Sequence, residues 1–310
     1  MSQTTEQTKT AESVFADKVN RFLSMSGWTA RRLAKSAGIS SATLSQFLSN
    51  QYPGDCSKVT NQLNTVIERE TEKLTQHKAS SSFIETSISK RYFDIARAAH
   101  LYQEIGVCYS DAGLGKTESA REYVSKFSDT ILIEADPGYT ATVLFTELYG
   151  KLGSGEHRTM HYLFNACVDA LKGSGRLLII DEAEQLPFRA LEMVRRLHDK
   201  ANVGIILAGM HRLLGNIRGL RGDFAQLYSR VGMACKLEKL QESDTKNIVS
   251  QLLPGACDLW SVMHQECGAN TRRLFKMINR SIHISEVNDR VIDEDVILAA
   301  SDMLKVEKMF

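Results

Sequence analysis

Ser110-Asp-Ala-Gly-Leu-Gly-Lys-Thr117 is the stretch that decides the fold of this 310-residue chain. It nearly matches the phosphate-binding loop G-x-x-x-x-G-K-[ST], whose backbone N–H groups surround the phosphates of a nucleotide. The apolar run Ile105–Tyr109 before it predicts a strand, and residues 118–124 after it predict a helix whose N-terminus adds positive potential. Ser110 stands where the first glycine is usual, which a turn tolerates. A glycine-rich turn formed by chance is the alternative, and the strand–loop–helix order argues against it.

The residue types of this loop indicate ATP bound together with Mg²⁺. Lys116 is expected to reach the β- and γ-phosphates as a compact charge, and Thr117 to place its hydroxyl on the metal ion. The guanine-specific run N-K-x-D is absent from the sequence. The residues of this region expected to line the nucleotide are Ser110, Asp111, Ala112, Gly113, Leu114, Gly115, Lys116, Thr117 and Glu118.

An acidic pair follows an apolar run some sixty residues after the loop. Leu177–Ile180 predicts a central parallel strand, buried on both faces, and Asp181 and Glu182 come directly after it. Asp181 is expected to hold Mg²⁺, directly or through water, and to border the nucleotide, while Glu182 would orient and activate the attacking water. Phosphoryl transfer depends on such positioning and charge neutralisation. A solvated acidic pair at a strand end is the alternative.

The composition predicts a packed, soluble, intracellular protein. Apolar residues make up 43% of the chain and charged residues 24%, and the length allows two or three domains. The net charge of only +1 means that a nucleic-acid surface must be a local patch. Six cysteines without C-x-x-C spacing argue against a zinc site or a disulfide framework, and favour reduced cysteines inside a cell. No apolar stretch approaches the length of a membrane span.

The order of predicted elements divides the chain into an all-α N-terminal domain at 1–78, an α/β domain at 79–240 and a helical lid at 241–310. Strands and helices alternate in the middle part, which predicts a parallel sheet with helices on both faces. Its strands are expected at Ile105–Tyr109, Thr130–Glu134, Leu177–Ile180, Gly204–Ala208 and Met233–Lys236, and its helices include Ala141–Leu152, Met160–Leu171 and Phe188–Lys200. The last part has no strand signal and predicts three or four helices.

The N-terminal part predicts a helix-turn-helix. Leu33 lies on the apolar face of a short helix that Gly38 ends, and Ser40 can cap the helix that follows. Leu44 and Phe47 give this second helix its apolar side at helical spacing. Two short helices joined by a glycine-bearing turn are typical of the motif.

If this motif binds DNA, its second helix would enter the major groove. Gln46 is the only good base-reading side chain there, beside Ser41, while Arg31, Arg32 and Lys35 on the preceding helix suit phosphates. The N-terminal part holds ten Lys and Arg against seven Asp and Glu. This modest positive charge predicts weak, poorly sequence-specific binding to double-stranded DNA. A motif used only for protein contact is the alternative.

Two arginines add a resemblance to the AAA+ family of ATPases. Arg230 precedes the last predicted strand, where it could reach the nucleotide of a neighbouring subunit. Arg272 opens a helix of the lid, where it could contact the γ-phosphate. The resemblance implies an α/β ATPase core, a helical lid and sites completed between subunits, with Lys116, Glu182, Arg230 and Arg272 as catalytic residues. A surface salt bridge is the alternative for each arginine.

Within that family the chain resembles the transposition regulators of Mu-like phages, which are related in plan to those of CRISPR-associated transposons. The resemblance lies in the order of the domains and in the stretches Leu44–Asp55, Gly115–Tyr123, Ile179–Ala183 and Gln226–Arg230. It implies an ATP-dependent, largely non-specific DNA-binding protein that assembles with its own copies as helical filaments on DNA. It also implies that the protein selects target DNA, activates a partner transposase and hydrolyses ATP with DNA stimulation. The expected location is the cytoplasm of a bacterium or of a phage-infected cell.

One position departs from the family pattern. A polar residue, often Asn, usually follows the fourth strand and aligns the attacking water, whereas here Met210 and His211 follow Gly209. Methionine cannot align a water molecule, and His211 could border the nucleotide only if its neutral side chain reached inward. The sequence therefore predicts slow ATP hydrolysis.

Basic loops are expected to supply further DNA contacts in a filament. The candidates in the α/β domain are Lys151, Arg158, Arg212 and Arg218. Several phosphate contacts per subunit would make binding fall steeply with salt. Each of these side chains could instead belong to an ordinary solvated surface.

Three other functions are alternatives to the predicted role in transposition. A helicase loader of similar AAA+ build is the first, and the N-terminal helix-turn-helix argues against it. An ATP-dependent helix-turn-helix transcriptional regulator is the second, and it would need a recognition helix richer in base-reading side chains. A nucleotide binder without hydrolysis is the third, and the pair Asp181 and Glu182 argues against it.

Overall fold

The computed structural model describes residues 15–49, 51–79, 83–153, 159–218 and 228–304. Arg158, together with residues 50, 226 and 227 of the stretches quoted above, lies outside the described residues. The chain forms two compact units, residues 1–82 and 83–310. The α/β domain and the helices expected as a lid therefore belong to one unit.

The first unit is helical in its described part. Its helices are α1 (15–26), α2 (Ala30–Ser36), α3 (Ser41–Leu48) and α4 (Cys56–Ala79). Ser40 caps α3, because its hydroxyl accepts the N–H of Thr43 at 2.9 Å. Gly38, with φ of +69°, takes the left-handed conformation in the turn between α2 and α3. Leu33, Leu44 and Phe47 are buried in one core, as their spacing predicts.

The second unit contains the predicted five-stranded parallel sheet. Its strands are β1 (Ile105–Tyr109), β2 (Thr130–Glu134), β3 (Leu177–Asp181), β4 (Gly204–Gly209) and β5 (Val231–Lys236), in the order β2-β3-β4-β1-β5. All five strands confirm the sequence prediction, with small differences in length. β3 includes Asp181, β4 includes Gly209, and β5 begins two residues early at Val231. The acidic motif therefore starts inside a strand.

Helices cover both faces of this sheet. They are α5 (Ser87–Tyr102), α6 (Lys116–Lys126), α7 (Ala141–Lys151), α8 (Met160–Leu171), α9 (Phe188–Ala201), α10 (Arg212–Arg218), α11 (Glu242–Leu252), α12 (Trp260–Cys267), α13 (Thr271–Asn288) and α14 (Glu294–Asp302). Short 3₁₀ turns lie at Ala183–Gln185 and Pro254–Leu259. In the described part of the chain, no helix has both the length and the apolar character that a membrane crossing requires. The six cysteines carry free thiols.

The alternation along β3 explains the two cores of this unit. Leu178 and Ile180 pack with α7, α8 and α9 on one face. Leu177 and Ile179 belong to the other core, which also contains buried side chains of α5, α6 and the C-terminal helices. Because a central parallel strand is covered on both sides, both sets of side chains must be apolar. The C-terminal helices thus share a hydrophobic core with the sheet.

Asp244, in the first turn of α11, joins the C-terminal helices to α5. Its carboxylate is buried and accepts the N–H of Ser87 at 2.8 Å and the Ser87 hydroxyl at 2.5 Å. It also accepts the N–H of Gln241 at 3.3 Å. One side chain therefore satisfies donors at the start of two helices.

We expect Asp244→Ala to lower the free energy of unfolding by about 2 kcal/mol, because it leaves buried donors without an acceptor. For a unit of this size the midpoint Tm should fall by roughly 4–8 °C in scanning calorimetry. Glu242→Ala, at an exposed position in the same turn, is the matched control and should change stability by less than about 0.5 kcal/mol. Equal Tm values for the two variants would contradict the prediction.

Candidate nucleotide-binding site

Three neighbouring strands end at the predicted site. Tyr109 at the end of β1 pairs with Gly209 at the end of β4, and the N–H of Ser110 donates to the Gly209 carbonyl at 3.2 Å. β3 lies on the other side of β4 and ends in Asp181. Since the strands are parallel, the loop after β1 and the acidic motif of β3 meet at the same edge, where ligands of such sheets bind.

The loop between β1 and α6 has the backbone that its sequence predicts. Gly113 and Gly115 have φ of +80° and +93°, a region that favours glycine, and Gly115 is the N-cap of α6. Leu114 is buried and anchors the loop. Glu118 lies in the first turn of α6, where its carboxylate pairs with Arg121 at 2.8 Å. The start of this helix offers backbone N–H groups and positive potential to an anion.

Lys116 is held against the loop by oxygen atoms. Its Nζ donates to the Ser110 hydroxyl at 2.8 Å, to the Asp111 carbonyl at 3.0 Å and to the Ser110 carbonyl at 3.3 Å. Burial lowers the pKa of Lys116, and the carboxylates of Asp181 and Glu184 act in the opposite direction. Ser110 itself is fully buried, and its hydroxyl is used by the lysine. A serine at this position therefore contributes a contact that glycine could not make.

Thr117 and Asp181 contact each other directly. The Thr117 hydroxyl donates to Asp181 Oδ2 at 2.5 Å. Asp181 is only 2% exposed, and this burial raises its pKa, while hydrogen bonds from Thr117 and from the Glu182 N–H act to lower it. A hydroxyl and a carboxylate are hard oxygen donors of the kind that Mg²⁺ prefers. These two residues therefore fit a magnesium ion beside the loop.

Glu182 differs from its neighbour in environment. Its side chain is exposed, and its backbone lies in the left-handed region with φ of 51°, just before the 3₁₀ turn Ala183–Gln185. Left-handed backbone is uncommon for residues other than glycine and is often found at functional sites. The carboxylate is thus free to approach a ligand at the edge of the sheet.

The residues after β4 also reach the loop. Met210 is 43% exposed, and His211 Nε2 lies 3.3 Å from Asp111 Oδ1. The His211 ring meets the Tyr109 ring edge to face, with centroids 5.4 Å apart. The structure therefore places the His211 side chain beside Asp111 of the loop.

The lid touches the loop through Asn270 and Arg272. Asn270 Nδ2 donates to the Ala112 carbonyl at 2.8 Å, and the Arg272 N–H donates to the Gly113 carbonyl at 2.9 Å. Asn270 also caps α13, since its Oδ1 accepts the N–H of Arg273 at 3.1 Å. The start of α13 is therefore bound to the loop, and the contact of the Arg272 side chain with the γ-phosphate stays a prediction.

Sequence reasoning missed two residues of this site. The contact of Asn270 with Ala112 joins residues 158 positions apart, and the only local signal was an Asn at a helix start. Glu184 is 6% exposed although it lies two residues after the exposed Glu182. Its closeness in sequence to the acidic motif was the only signal available.

Arg230 lies outside this cluster of contacts. It directly precedes β5, the strand at one edge of the sheet, and its side chain is 49% exposed. Its Nε donates to Asp199 Oδ1 at 2.9 Å, and the other Asp199 oxygen pairs with Arg195 at 2.5 Å. Within one chain, then, Arg230 contacts α9.

The basic residues predicted to contact DNA are on the surface wherever they are described. On α2 and α3 the predicted contact residues are all exposed, namely Arg31, Arg32, Lys35, Ser41 and Gln46. The Arg32 guanidinium lies 4.0 Å from the centroid of the Trp28 ring, which orients it.

In the second unit, Lys151 pairs with Glu147 at 3.5 Å. Arg212 and Arg218 are exposed at the two ends of α10, and the Arg218 guanidinium lies 5.5 Å from the Tyr228 ring centroid.

Comparison with known proteins relates the chain to DNA transposition proteins. The family described as AAA domain matches residues 99–217. The chain is 32% identical to the ATP-dependent target DNA activator B of Escherichia phage Mu, over 71% of this chain and 72% of that protein. It is 28% identical to the Mu-like prophage FluMu DNA transposition protein B of Haemophilus influenzae, over 75% of this chain and 83% of that protein.

Solved structures share the fold at low identity. The ORC2 protein of Aeropyrum pernix, in its ADPNP-ADP complexes, has a TM-score of 0.55 at 15% identity, covering 73% of this chain and 67% of its own. The ORC1 protein of the same organism, in complex with DNA, has a TM-score of 0.54 at 14% identity, covering 71% of this chain and 65% of its own. These similarities confirm the AAA+ fold that the resemblance of the sequence to this family implies.

We expect Gly113→Ala to weaken ATP binding at least about tenfold, because the added methyl group strains a left-handed backbone and meets the lid. A Cβ at this position would lie 2.7 Å from Asn270 Oδ1 and 3.2 Å from Arg272 Cβ. Titration of a fluorescent ATP analogue measures the effect. Gly150→Ala is the matched control, since an added Cβ in α7 meets nothing within 4 Å. Equal affinities for the two variants would contradict the described lid–loop contact.

Proposed function

We propose that this chain, which belongs to the AAA ATPase family of the Mu-type target DNA activators, selects target DNA and activates a partner transposase. Both actions would depend on ATP. The observation that carries the proposal is the contact of Thr117 with Asp181 at 2.5 Å, which joins the phosphate-binding loop to the acidic strand. The names of its relatives supply the target DNA and the transposition reaction.

In this proposal each group of the site has one task. The loop N–H groups and Lys116 bind the phosphates, and Thr117 and Asp181 hold Mg²⁺, which neutralises phosphate charge when bound. Glu182 orients and activates the attacking water. Arg272 contacts the γ-phosphate and, through the bond of its N–H to Gly113, links the nucleotide to the lid.

Assembly on DNA is the second part of the proposal. The exposed Arg230 would leave Asp199 and complete the site of a neighbouring subunit, so that ATP favours a helical filament. DNA binding would be largely non-specific, because the exposed basic residues suit phosphates and Gln46 is the main base reader. The proposed DNA contacts are Arg31, Arg32, Lys35, Ser41, Gln46, Lys151, Arg212 and Arg218, with Arg158 as a further candidate.

Slow hydrolysis completes the proposal. The half-exposed Met210 follows β4 where related ATPases use a polar residue, and His211 is engaged with Asp111. DNA-stimulated turnover should stay well below about 10 s⁻¹, the median of enzymes. A filament that hydrolyses ATP slowly persists long enough on DNA to meet a transposase.

Electron microscopy of the pure protein tests the assembly. We expect regular filaments when both ATP and random-sequence duplex DNA are present, because each subunit needs bound ATP to receive the neighbouring Arg230. Samples with ADP, without nucleotide or without DNA are the controls. Closed rings, or discrete particles that leave the duplex uncoated, would favour a helicase loader or a sequence-specific regulator.

We expect Arg230→Ala to bind ATP within about twofold of the wild type but to lose at least about tenfold of its DNA-stimulated turnover, as removal of an arginine finger does. A mixture with Glu182→Gln should regain activity, since each variant supplies the group that the other lacks. Arg196→Ala, which removes an exposed arginine of α9, is the matched control. Two inactive variants that stay inactive when mixed would argue against a site shared between subunits.

A further inference from the structure

Glu184 is a buried carboxylate without a full set of partners. The residue is 6% exposed, and its Oε2 has no hydrogen-bond partner among the described residues. Leaving a buried charged oxygen unpaired costs free energy, so such a group in a folded protein calls for an explanation. The common explanations are a bound water or a ligand that completes the hydrogen bonds.

The unpaired oxygen lies at the end of β4. A methyl group built on Gly209 would overlap Glu184 Oε2, so the carboxylate occupies the place where residue 209 would carry a side chain. Gly209 is also bound to the phosphate-binding loop, because its carbonyl accepts the N–H of Ser110. The Glu184 carboxylate therefore lies against the end of β4, and the same residue of β4 binds the loop of the candidate nucleotide site.

The backbone around Glu184 is fixed. Its carbonyl accepts a hydrogen bond from Asn216 Nδ2 at 3.0 Å, which ties the 3₁₀ turn Ala183–Gln185 to α10. The carboxylate also interacts with Lys116, whose pKa it acts to raise. A buried side chain on a fixed backbone can orient a small molecule, since little freedom is lost when the contact forms.

We propose that Glu184 is a positioning residue for ATP hydrolysis, which orients the attacking water in place of the polar side chain that Met210 lacks. The inference rests on the proposed ATPase function and deepens it. Gly209 is then required by the site, because any larger residue would displace the carboxylate. The exposed Glu182 remains the activating group, and the two carboxylates share one water molecule.

Glu182 and Glu184 have different roles towards this water molecule. A water molecule can donate one hydrogen to Glu184 and the other to Glu182, which directs its oxygen lone pair away from both carboxylates. In hydrolysis this oxygen bonds to the γ-phosphorus while the bond to the ADP oxygen breaks. The proton that leaves the water passes to Glu182, and Glu184 takes up no proton. Glu184 is thus needed for the geometry of the attack and not for ATP binding.

Two variants that act on the same carboxylate test the proposal. Glu184→Gln removes the charge, and Gly209→Ala displaces the side chain. Both should lower DNA-stimulated turnover at least about tenfold. Glu184→Gln leaves the contact of Gly209 with the loop in place, so its ATP affinity should stay within about twofold of the wild type by fluorescence titration. Gly215→Ala, in α10, is the matched control for the second variant, since its added Cβ meets nothing within 4 Å.

Thermal unfolding without nucleotide separates a positioning role from a structural one. Glu184→Gln should not lower Tm, because it removes an unpaired buried charge. Turnover within twofold of the wild type in either variant overturns the proposal, and so does a parallel loss of turnover, ATP affinity and Tm in Glu184→Gln. If Glu182→Gln abolishes turnover while Glu184→Gln leaves it intact, only the role of Glu184 fails. A wild-type chain without any ATP turnover would overturn the proposed function as well.

Discussion

The hydrogen bond from Thr117 to Asp181 is the contact on which the rest of this site depends. It joins the helix that follows β1 to the end of β3, although β4 lies between these strands. Such a contact can form because all three strands are parallel and end at one edge of the sheet. The fold therefore determines where a nucleotide could be bound, before any side chain contributes to specificity.

The phosphate-binding loop also contacts both the sheet and the C-terminal helices of the second unit. The sheet holds it through Gly209 and Asp181, and the start of α13 holds it through Asn270 and Arg272. A ligand shifts a conformational equilibrium only through contacts that differ between the two states. A bound nucleotide could act on the bonds from α13 to the loop backbone, since the loop is the element that would surround the phosphates.

Charge distribution limits how this protein could bind DNA. A net charge of +1 excludes a strong overall attraction, so the proposed binding would have to come from local groups of basic side chains. The structure describes one such group on α2 and α3 of the first unit, where Trp28 orients Arg32, and another on α10 of the second unit. If several subunits assemble side by side, the contacts of their basic groups with DNA add up. The affinity for DNA would then depend on assembly.

The sequence alone determined the five strands, the phosphate-binding loop and the acidic motif, because apolar runs and glycine spacing are local properties of the chain. It also predicted Arg272 beside the loop, from its place at the start of a lid helix. Only the tertiary structure decided that Glu184 is buried while Glu182 is exposed, that Asn270 binds Ala112, and that Arg230 contacts Asp199. These contacts depend on strand order and helix packing, which residue periodicity does not encode. They join positions that are distant in the chain, and their partners become known only when the sheet is assembled.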